Sequence, residues 1–517
     1  MNRSIASDPV ASAKRREWLV LICTSAPSFM LQLDANIVSV SLPSIARSLH
    51  ADFAGIEWVV TAYMLSFASL LMPAGALADR FGRKQLLLIG LTLFTFASLL
   101  CGLAWSLPVL IIARALQGAG AAMQLSAALA TLSHSFHGEA RARAFSFWGT
   151  VVGIGIASGP VVGGLVTQVF GWQWAFYVNV PIGIALLVMI ARVIESSRDP
   201  HAMRLDLPGV VCFASALFLT TIALIEGNRR GWHDRWIVGE FVGSFILFTL
   251  FVVVEQRQAR PMLDLSYFRK RTYLGATLAQ FSFSVGLLTM LTFVPIFLQS
   301  GLGETSATAG LMMLPMVAPL FIVPRLVTRF LAHRLSGRAL LALGLLLVCV
   351  GLGCFAAVVM MLAYRPLIIG MLITGIGAGL LNGETTKVGM TVIPKERAGM
   401  ASGVSGTTRF TGLVIGIAGL GVVLYARVYS VVTLATPTVE STAQLRLVQD
   451  IAAGRLASAT LPSWDPAALH ALVASSFAGG YQALFVVAAS FMLLATILTW
   501  ILVNPAETPA ASAPATR

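Results

Sequence analysis

Charge is scarce in this chain. Only 11% of its 517 residues are Asp, Glu, Lys or Arg, 57% are hydrophobic, and the mean hydropathy is +0.84. Soluble globular proteins carry roughly 25% charged residues, so composition excludes that class. Cysteine is scarce as well. The five, Cys23, Cys101, Cys212, Cys349 and Cys354, fall inside apolar runs without metal or redox spacing, which argues against a disulfide framework. His134-Ser-Phe-His137 resembles a metal pair only locally; it sits in a short basic loop without further ligands and reads as solvated loop. The chain also lacks a Gly-x-x-x-x-Gly-Lys-Ser/Thr stretch, which argues against ATP hydrolysis. Catalytic polar residues do not cluster at one end of the apolar runs, as a membrane-embedded transferase would need. No cofactor and no metal are expected.

Apolar runs of span length are abundant instead. Fourteen are read, at 17–42, 55–78, 85–106, 107–133, 141–168, 174–194, 206–226, 234–255, 273–299, 305–329, 337–362, 366–390, 397–425 and 481–503. Lys14-Arg-Arg16 before the first run resembles a secretory start, but that run is too long and no clear cleavage site follows, so it reads as an uncleaved span. The net charge of +13 is explained by the membrane rather than by nucleic acid. Basic residues gather on alternate loops, among them Arg80-Phe-Gly-Arg-Lys84 and Arg269-Lys-Arg271, which is the bias of cytoplasmic loops near lipid. An even span count then places both termini in the cytoplasm.

The chain divides as a cytoplasmic segment 1–16, a six-helix bundle 17–194, two inserted spans with their linkers 195–272, a second six-helix bundle 273–503, and a disordered tail 504–517. A repeat supports this division. Leu77-Ala-Asp-Arg-Phe-Gly-Arg-Lys84 follows span two, and Leu331-Ala-His-Arg-Leu-Ser-Gly-Arg338 follows span ten, the second helix of the last six. Parallel repeats across a membrane-normal axis are a transporter architecture with the substrate path between the halves. The one long outer loop, 426–480, contains two stretches, 443–450 and 466–473, that fit short amphipathic helices. They would cover the surface, cap the outer mouth or dock a periplasmic adaptor protein.

Span five carries Gly153-Ile-Gly-Ile-Ala-Ser-Gly-Pro-Val-Val-Gly-Gly164. Gly155, Gly159 and Gly163 recur every four residues and share a helix face, a stripe that lets another backbone approach closely in lipid. Pro160 beside them removes a helix hydrogen bond and permits a bend. Together with Leu33-Asp-Ala-Asn-Ile-Val-Ser-Val-Ser-Leu-Pro43, Gly75-Ala-Leu-Ala-Asp-Arg-Phe-Gly-Arg-Lys84, Arg114-Ala-Leu-Gln-Gly-Ala-Gly120 and Trp172-Gln-Trp-Ala-Phe-Tyr-Val-Asn-Val-Pro181, in that order, the chain resembles the major facilitator superfamily. The closest match is its fourteen-span drug:proton antiporter branch, the EmrB/QacA type. The resemblance implies an all-α integral membrane fold of six, two and six helices. It also implies proton-coupled export of amphipathic organic compounds from a bacterial inner membrane, with Gly155, Gly159, Pro160, Gly163 and Gly164 as the antiporter signature. A dedicated exporter of one metabolite, siderophore or amino acid would share every motif.

Charges inside spans are expensive and therefore mark function. Asp34 lies about 12 Å and Arg114 roughly 9 Å from the outer ends of their spans by helix rise, so the two opposite charges sit at similar depth. They fit a proton switch, the role the resemblance implies, or a static pair that sets helix register. Gly75, Asp79, Arg80, Gly82 and Arg83 form a second constellation with Lys84. Gly75 would permit close helix approach and Gly82 a sharp turn, and the resemblance implies a cytoplasmic gate here. In the last half, Glu384 fits either a local pair with Lys387 or a contact with Arg409. Carboxylates that some family members place in spans ten or thirteen are absent, which argues against a strictly dicationic specificity. Trp58, Tyr63, Gln117, Phe176, Asn179, Glu384 and Arg409 are the candidate substrate-cavity residues, since aromatic walls with few polar groups suit amphipathic ligands.

Overall fold

A backbone in hydrocarbon must satisfy its own hydrogen bonds, and helices do so within one segment. The structure, a computed structural model, describes residues 9–136, 138–196, 207–258, 265–331, 334–393, 398–437, 439–456, 459–461 and 464–508. Fourteen helices among them are long and apolar enough to cross a membrane. They are spans one (Arg15–Ser48), two (Phe53–Leu71), three (Arg83–Gly102), four (Leu107–Leu132), five (Phe147–Phe170), six (Trp174–Val193), seven (Leu207–Gly227) and eight (Arg235–Arg257). Nine (Arg271–Gly301), ten (Ser306–Leu326), eleven (Gly337–Met361), twelve (Tyr364–Met390), thirteen (Val404–Ala435) and fourteen (Pro466–Leu502) complete the set. His137, residues 197–198 and 259–260 of the charged linkers, Ala332 and His333 of the repeat, and residues 1–8 and 509–517 of the terminal segments lie outside the described residues.

Helix packing repeats between the first six spans and the last six. Span two packs on four, three on four, one on five and three on six. Span ten packs on twelve, eleven on twelve, nine on thirteen and eleven on fourteen, the same pairings eight positions later. Spans seven and eight pack on each other, joined by a Thr220–Ser244 hydrogen bond of 2.6 Å, and span seven lies where span two meets span thirteen.

The face at which span one begins and span fourteen ends is the terminal face. Arg16 pairs there with Glu195, Lys84 Nζ donates to the Ala191 carbonyl (2.7 Å), and Gly337 N–H donates to the Thr508 carbonyl (2.9 Å). The opposite, loop face carries the turn between spans one and two. Hydrogen bonds tie the two halves at this face. Gln299 Nε2 donates to the Val40 carbonyl (2.8 Å), Arg455 Nη1 to the Ala51 carbonyl (2.8 Å), and Ala307 N–H to Gln168 Oε1 (3.3 Å). Gln299 sits in a π-helical stretch, Phe297–Gly301, of span nine. The halves are thus closed against each other at the loop face.

The long loop is shorter than 426–480. The helix of span thirteen continues to Ala435 and that of span fourteen begins at Pro466. The stretch 466–473 is therefore the first turns of span fourteen and no separate helix. Its start is well specified: Asp465 accepts a hydrogen bond from Ala468 N–H (2.9 Å), and Pro466 follows the cap where a missing N–H costs nothing. The other amphipathic stretch does form a helix, Ser441–Ala452, and turns Leu447, Val448, Ile451 and Ala452 inward. Its apolar face is spent on this chain.

Candidate functional site

Asp34 and Arg114 meet in the core of the first six spans. Arg114 Nη1 donates to Asp34 Oδ2 at 2.9 Å, and the side chains are 1% (Arg114) and 0% (Asp34) exposed. Span one supplies the carboxylate and span four the guanidinium. Span four also supplies Gln117, one turn on, whose Nε2 donates to Asp34 Oδ1 (2.9 Å) and to Ser98 Oγ (2.8 Å). Its Oε1 accepts from Arg114 Nη1 (2.6 Å). Span six contributes Asn179, whose Nδ2 donates to Asp34 Oδ1 at 2.7 Å. Span two holds the cation from its other side. Arg114 Nε donates to the Val59 carbonyl (3.1 Å), and the guanidinium lies 4.2 Å from the centroid of the Tyr63 ring, with Phe176 at 5.8 Å.

Every hydrogen-bond partner described for Asp34 is a donor. A carboxylate can accept from all of them, whereas a protonated carboxyl must place its own hydrogen against one. The arrangement satisfies an ionised Asp34. Protonation would remove the counter-charge from a guanidinium sealed in the core, and an uncompensated buried charge costs about 3–5 kcal/mol. The network joins spans one, two, four and six.

Of the residues read as cavity-lining, Tyr63, Gln117, Phe176 and Asn179 surround this pair and are buried. Trp58 is not among them: it points to the inserted helices, 6.2 Å from the Phe218 ring. Glu384 and Arg409 are not brought together. Glu384 pairs with Lys387 (2.9 Å), one turn along the same helix, and Arg409 lies over the Phe283 ring at 5.5 Å. Gly383, at φ +90°, breaks span twelve before Glu384 and turns that last segment aside.

The glycine signature faces two ways. A Cβ on Gly155 would lie 3.0 Å from the Phe29 carbonyl oxygen, one on Gly159 would overlap Asn36 Cβ, and one on Gly163 would lie 2.8 Å from Ile37 Cα. These three pack span five onto span one of the same half. Gly164 faces the other half, where a Cβ would lie 2.7 Å from Ala307 Cα. Gly310 of span ten answers it against the Pro160 carbonyl.

In the loop between spans two and three, Gly82 has φ +106° and makes the sharp turn, and Arg83 begins span three. Arg80 is exposed and stacks on Phe81 (5.5 Å). The Asp79 side chain lies outside the described residues. Gly75 does not mediate a close approach: among the described residues, a Cβ there would meet nothing within 4 Å.

Sequence reading misses Ser98 and the Val59 carbonyl, which complete the network, and Glu57, a buried carboxylate on span two. Neither a lone serine nor a backbone carbonyl carries a sequence signal. Glu57 does, since it is an acid within an apolar run.

The sequence model of the Major Facilitator Superfamily matches residues 27–417. Multidrug resistance protein Stp of Mycobacterium tuberculosis is 38% identical over 419 residues, 80% of this chain and 76% of that protein. The tetracenomycin C resistance and export protein of Streptomyces glaucescens is 29% identical over 502 residues, 95% of this chain and 92% of that one. The methylenomycin A resistance protein of Bacillus subtilis is 32% identical, covering 78% and 87%. Among solved structures, a bacterial homologue of the lysosomal transporter Spinster superposes with a TM-score of 0.65 at 16% identity, over 98% of this chain and 100% of that one. A peptide transporter of the POT family gives 0.66 at 14% identity, over 97% and 99%. At those identities the likeness is one of fold.

Proposed function

Because the chain belongs to the major facilitator superfamily, and is a multi-pass membrane transporter rather than an enzyme, we propose that it exports amphipathic organic compounds in exchange for protons by alternating access. The observation that carries proton coupling is the buried Asp34–Arg114 pair with its all-donor surroundings. Ionised Asp34 holds spans one, two, four and six in one arrangement, and protonation releases it. Cargo class is supported by the relatives, named for multidrug resistance, for tetracenomycin C resistance and export, and for methylenomycin A resistance. Tyr63 and Phe176, next to the pair, would feel any rearrangement of Arg114 and so link cargo contacts to the proton site.

The terminal face, with Lys84 and Lys270, is the cytoplasmic one in this reading, in a bacterial inner membrane, and the loop face is outer. The test is reconstitution into liposomes with an imposed pH gradient and a panel of cationic, neutral and anionic amphipathic compounds. Cargo-dependent proton flux that Asp34→Asn abolishes, with normal protein incorporation, is the expected result. Cargo movement indifferent to the gradient, or unimpaired in Asp34→Asn, refutes the coupling. A second reading, export of one dedicated compound, is favoured by the relatives named for a single antibiotic. It predicts that only one chemical class in the panel drives flux.

A further inference from the structure

Glu57 lies outside the Asp34 network, and the mechanism above does not use it. It is 5% exposed, on span two, less than two helical turns toward the loop face from Tyr63 of the core network. Its carboxyl faces the seam between the halves. On the far side is Gly421 of span thirteen, where a Cβ would collide with Glu57 Oε1. Only a glycine lets this carboxyl lie flat against the opposing backbone. The same seam holds a cavity of ≈20 Å³, lined by Glu57 with Asp52, Phe53 and Ala54 of its own segment, Val422 and Tyr425 of span thirteen, Leu224 and Ile225 of span seven, and Gln449 of the loop helix. That volume is enough for about one water.

Among the described residues, none that lines the cavity is basic. The titratable groups that line the cavity with Glu57 are Asp52, itself acidic and engaged in capping span two through Gly55 N–H (2.9 Å), and Tyr425. Spans seven and thirteen otherwise present aliphatic side chains there, and the loop helix an amide. Arg455 of the loop segment is engaged with Asp450 and with the Ala51 carbonyl, and Arg446, on the helix that supplies Gln449, is exposed and does not line the cavity. Glu57 Oε1 is buried without a hydrogen-bond partner among the described residues. An ionised carboxylate is not accommodated in such a site; a neutral carboxyl is.

We propose that Glu57 is a second proton-binding site, occupied while the loop face is closed and vacated when spans two and thirteen part. Opening admits water, the carboxyl O–H bond breaks, the proton passes to water on the loop side and the electron pair stays on the carboxylate. Closing requires the reverse. Because the proton is taken from and returned to the same side, this site sets the pH dependence of closure without adding to the protons moved per cycle. It requires only that the loop face opens, as a transporter must, and does not depend on proton antiport.

The test reads loop-face opening without cargo and without a gradient. Spin labels at Ser48→Cys and Ser441→Cys report the distance between the halves in the full-length protein. The Asp34→Asn background removes the carboxylate of the core network. In that background the open-to-closed ratio is expected to rise with pH by up to about tenfold per unit, the limit for one proton. Adding Glu57→Gln, an uncharged isostere, should flatten the dependence and hold the face closed. An unchanged pH dependence in the double variant overturns the proposal. A second measurement needs no Asp34 variant: the infrared carbonyl-stretch band of a buried protonated carboxyl should be present in the wild type at neutral pH and lost in Glu57→Gln. Its persistence in Glu57→Gln would equally overturn the assignment. Since neither readout involves transport, a failure here is distinct from a failure of proton-driven export.

Discussion

Replacing Gly310 by alanine should open the loop face. A Cβ at this position would overlap the Pro160 carbonyl oxygen and lie 2.8 Å from its carbonyl carbon, where ordinary contact begins at 3.4 Å. Both obstructing atoms are backbone, so no rotamer change relieves them. Spans five and ten must part by roughly 1 Å or bear the overlap, and overpacking of this kind costs about 1–3 kcal/mol. The cost falls only on the state in which the halves meet at the loop face. The equilibrium should therefore move toward the loop-open state by about 5–150-fold. The higher helix propensity of alanine acts on both states alike and cancels in the ratio. Gly164→Ala should act in the same direction, because its Cβ would lie 2.7 Å from Ala307 Cα. Gly149→Ala, on the same helix with nothing within 4 Å among the described residues, is the control. The assay is the distance distribution between spin labels on the two halves at the loop face, in detergent and in lipid. Equal distributions for Gly310→Ala and Gly149→Ala would refute the view that this backbone contact belongs to one state alone.

Gly163→Ala should behave differently, since its Cβ would lie 2.8 Å from Ile37 Cα within the same half. Thermal unfolding in detergent should show a loss of about 1–3 kcal/mol, with the conformational ratio unmoved. Arg114→Lys keeps the charge but loses the planar fork that reaches Val59 and Asp34 together. Losing one charged hydrogen bond of about 1.5–3 kcal/mol should lower gradient-driven transport at least about tenfold, measured in proteoliposomes at equal protein density. Asp34→Asn should eliminate the response of transport to an imposed pH gradient. Its membrane abundance should be less affected than that of Asp34→Ala, because the amide oxygen still accepts from the donors around it.

Much of the fold is legible because lipid removes alternatives. Each apolar run of sufficient length has to be a helix, and the fourteen runs read from the sequence correspond to the fourteen long helices. Their ends are less legible for a physical reason. The apolar run of span fourteen begins at 481, yet Asp465 and Pro466 start its helix well before that, since helix geometry continues past the hydrocarbon wherever a cap permits. Length of helix and length of apolar run are different quantities. The packing partners of the glycine stripe are legible only as a face. That Gly155, Gly159 and Gly163 share one neighbour follows from their spacing, but that the neighbour is span one, while adjacent Gly164 meets span ten, depends on tertiary arrangement.

The site separates in the same way. Depth alone pairs Asp34 with Arg114, because opposite charges at one level in an apolar medium have little else to contact. Gln117 and Asn179 stand out as polar, which in the sequence suits a cavity wall. Polarity inside a span marks a group that needs a partner; it does not say whether the partner is a ligand or the protein, and here both amides donate to Asp34. For Glu384 the local partner Lys387 prevails over Arg409, as a three-residue spacing on one helix fixes proximity without any help from the fold. Glu57 marks the other limit. It has the same signal as Asp34, a carboxylate in an apolar run, but none of the described residues lining its cavity is basic, and that is visible only in the fold. A buried acid whose neighbours carry no counter-charge is one whose burial a proton answers, and here that absence is read from the tertiary arrangement rather than from the sequence.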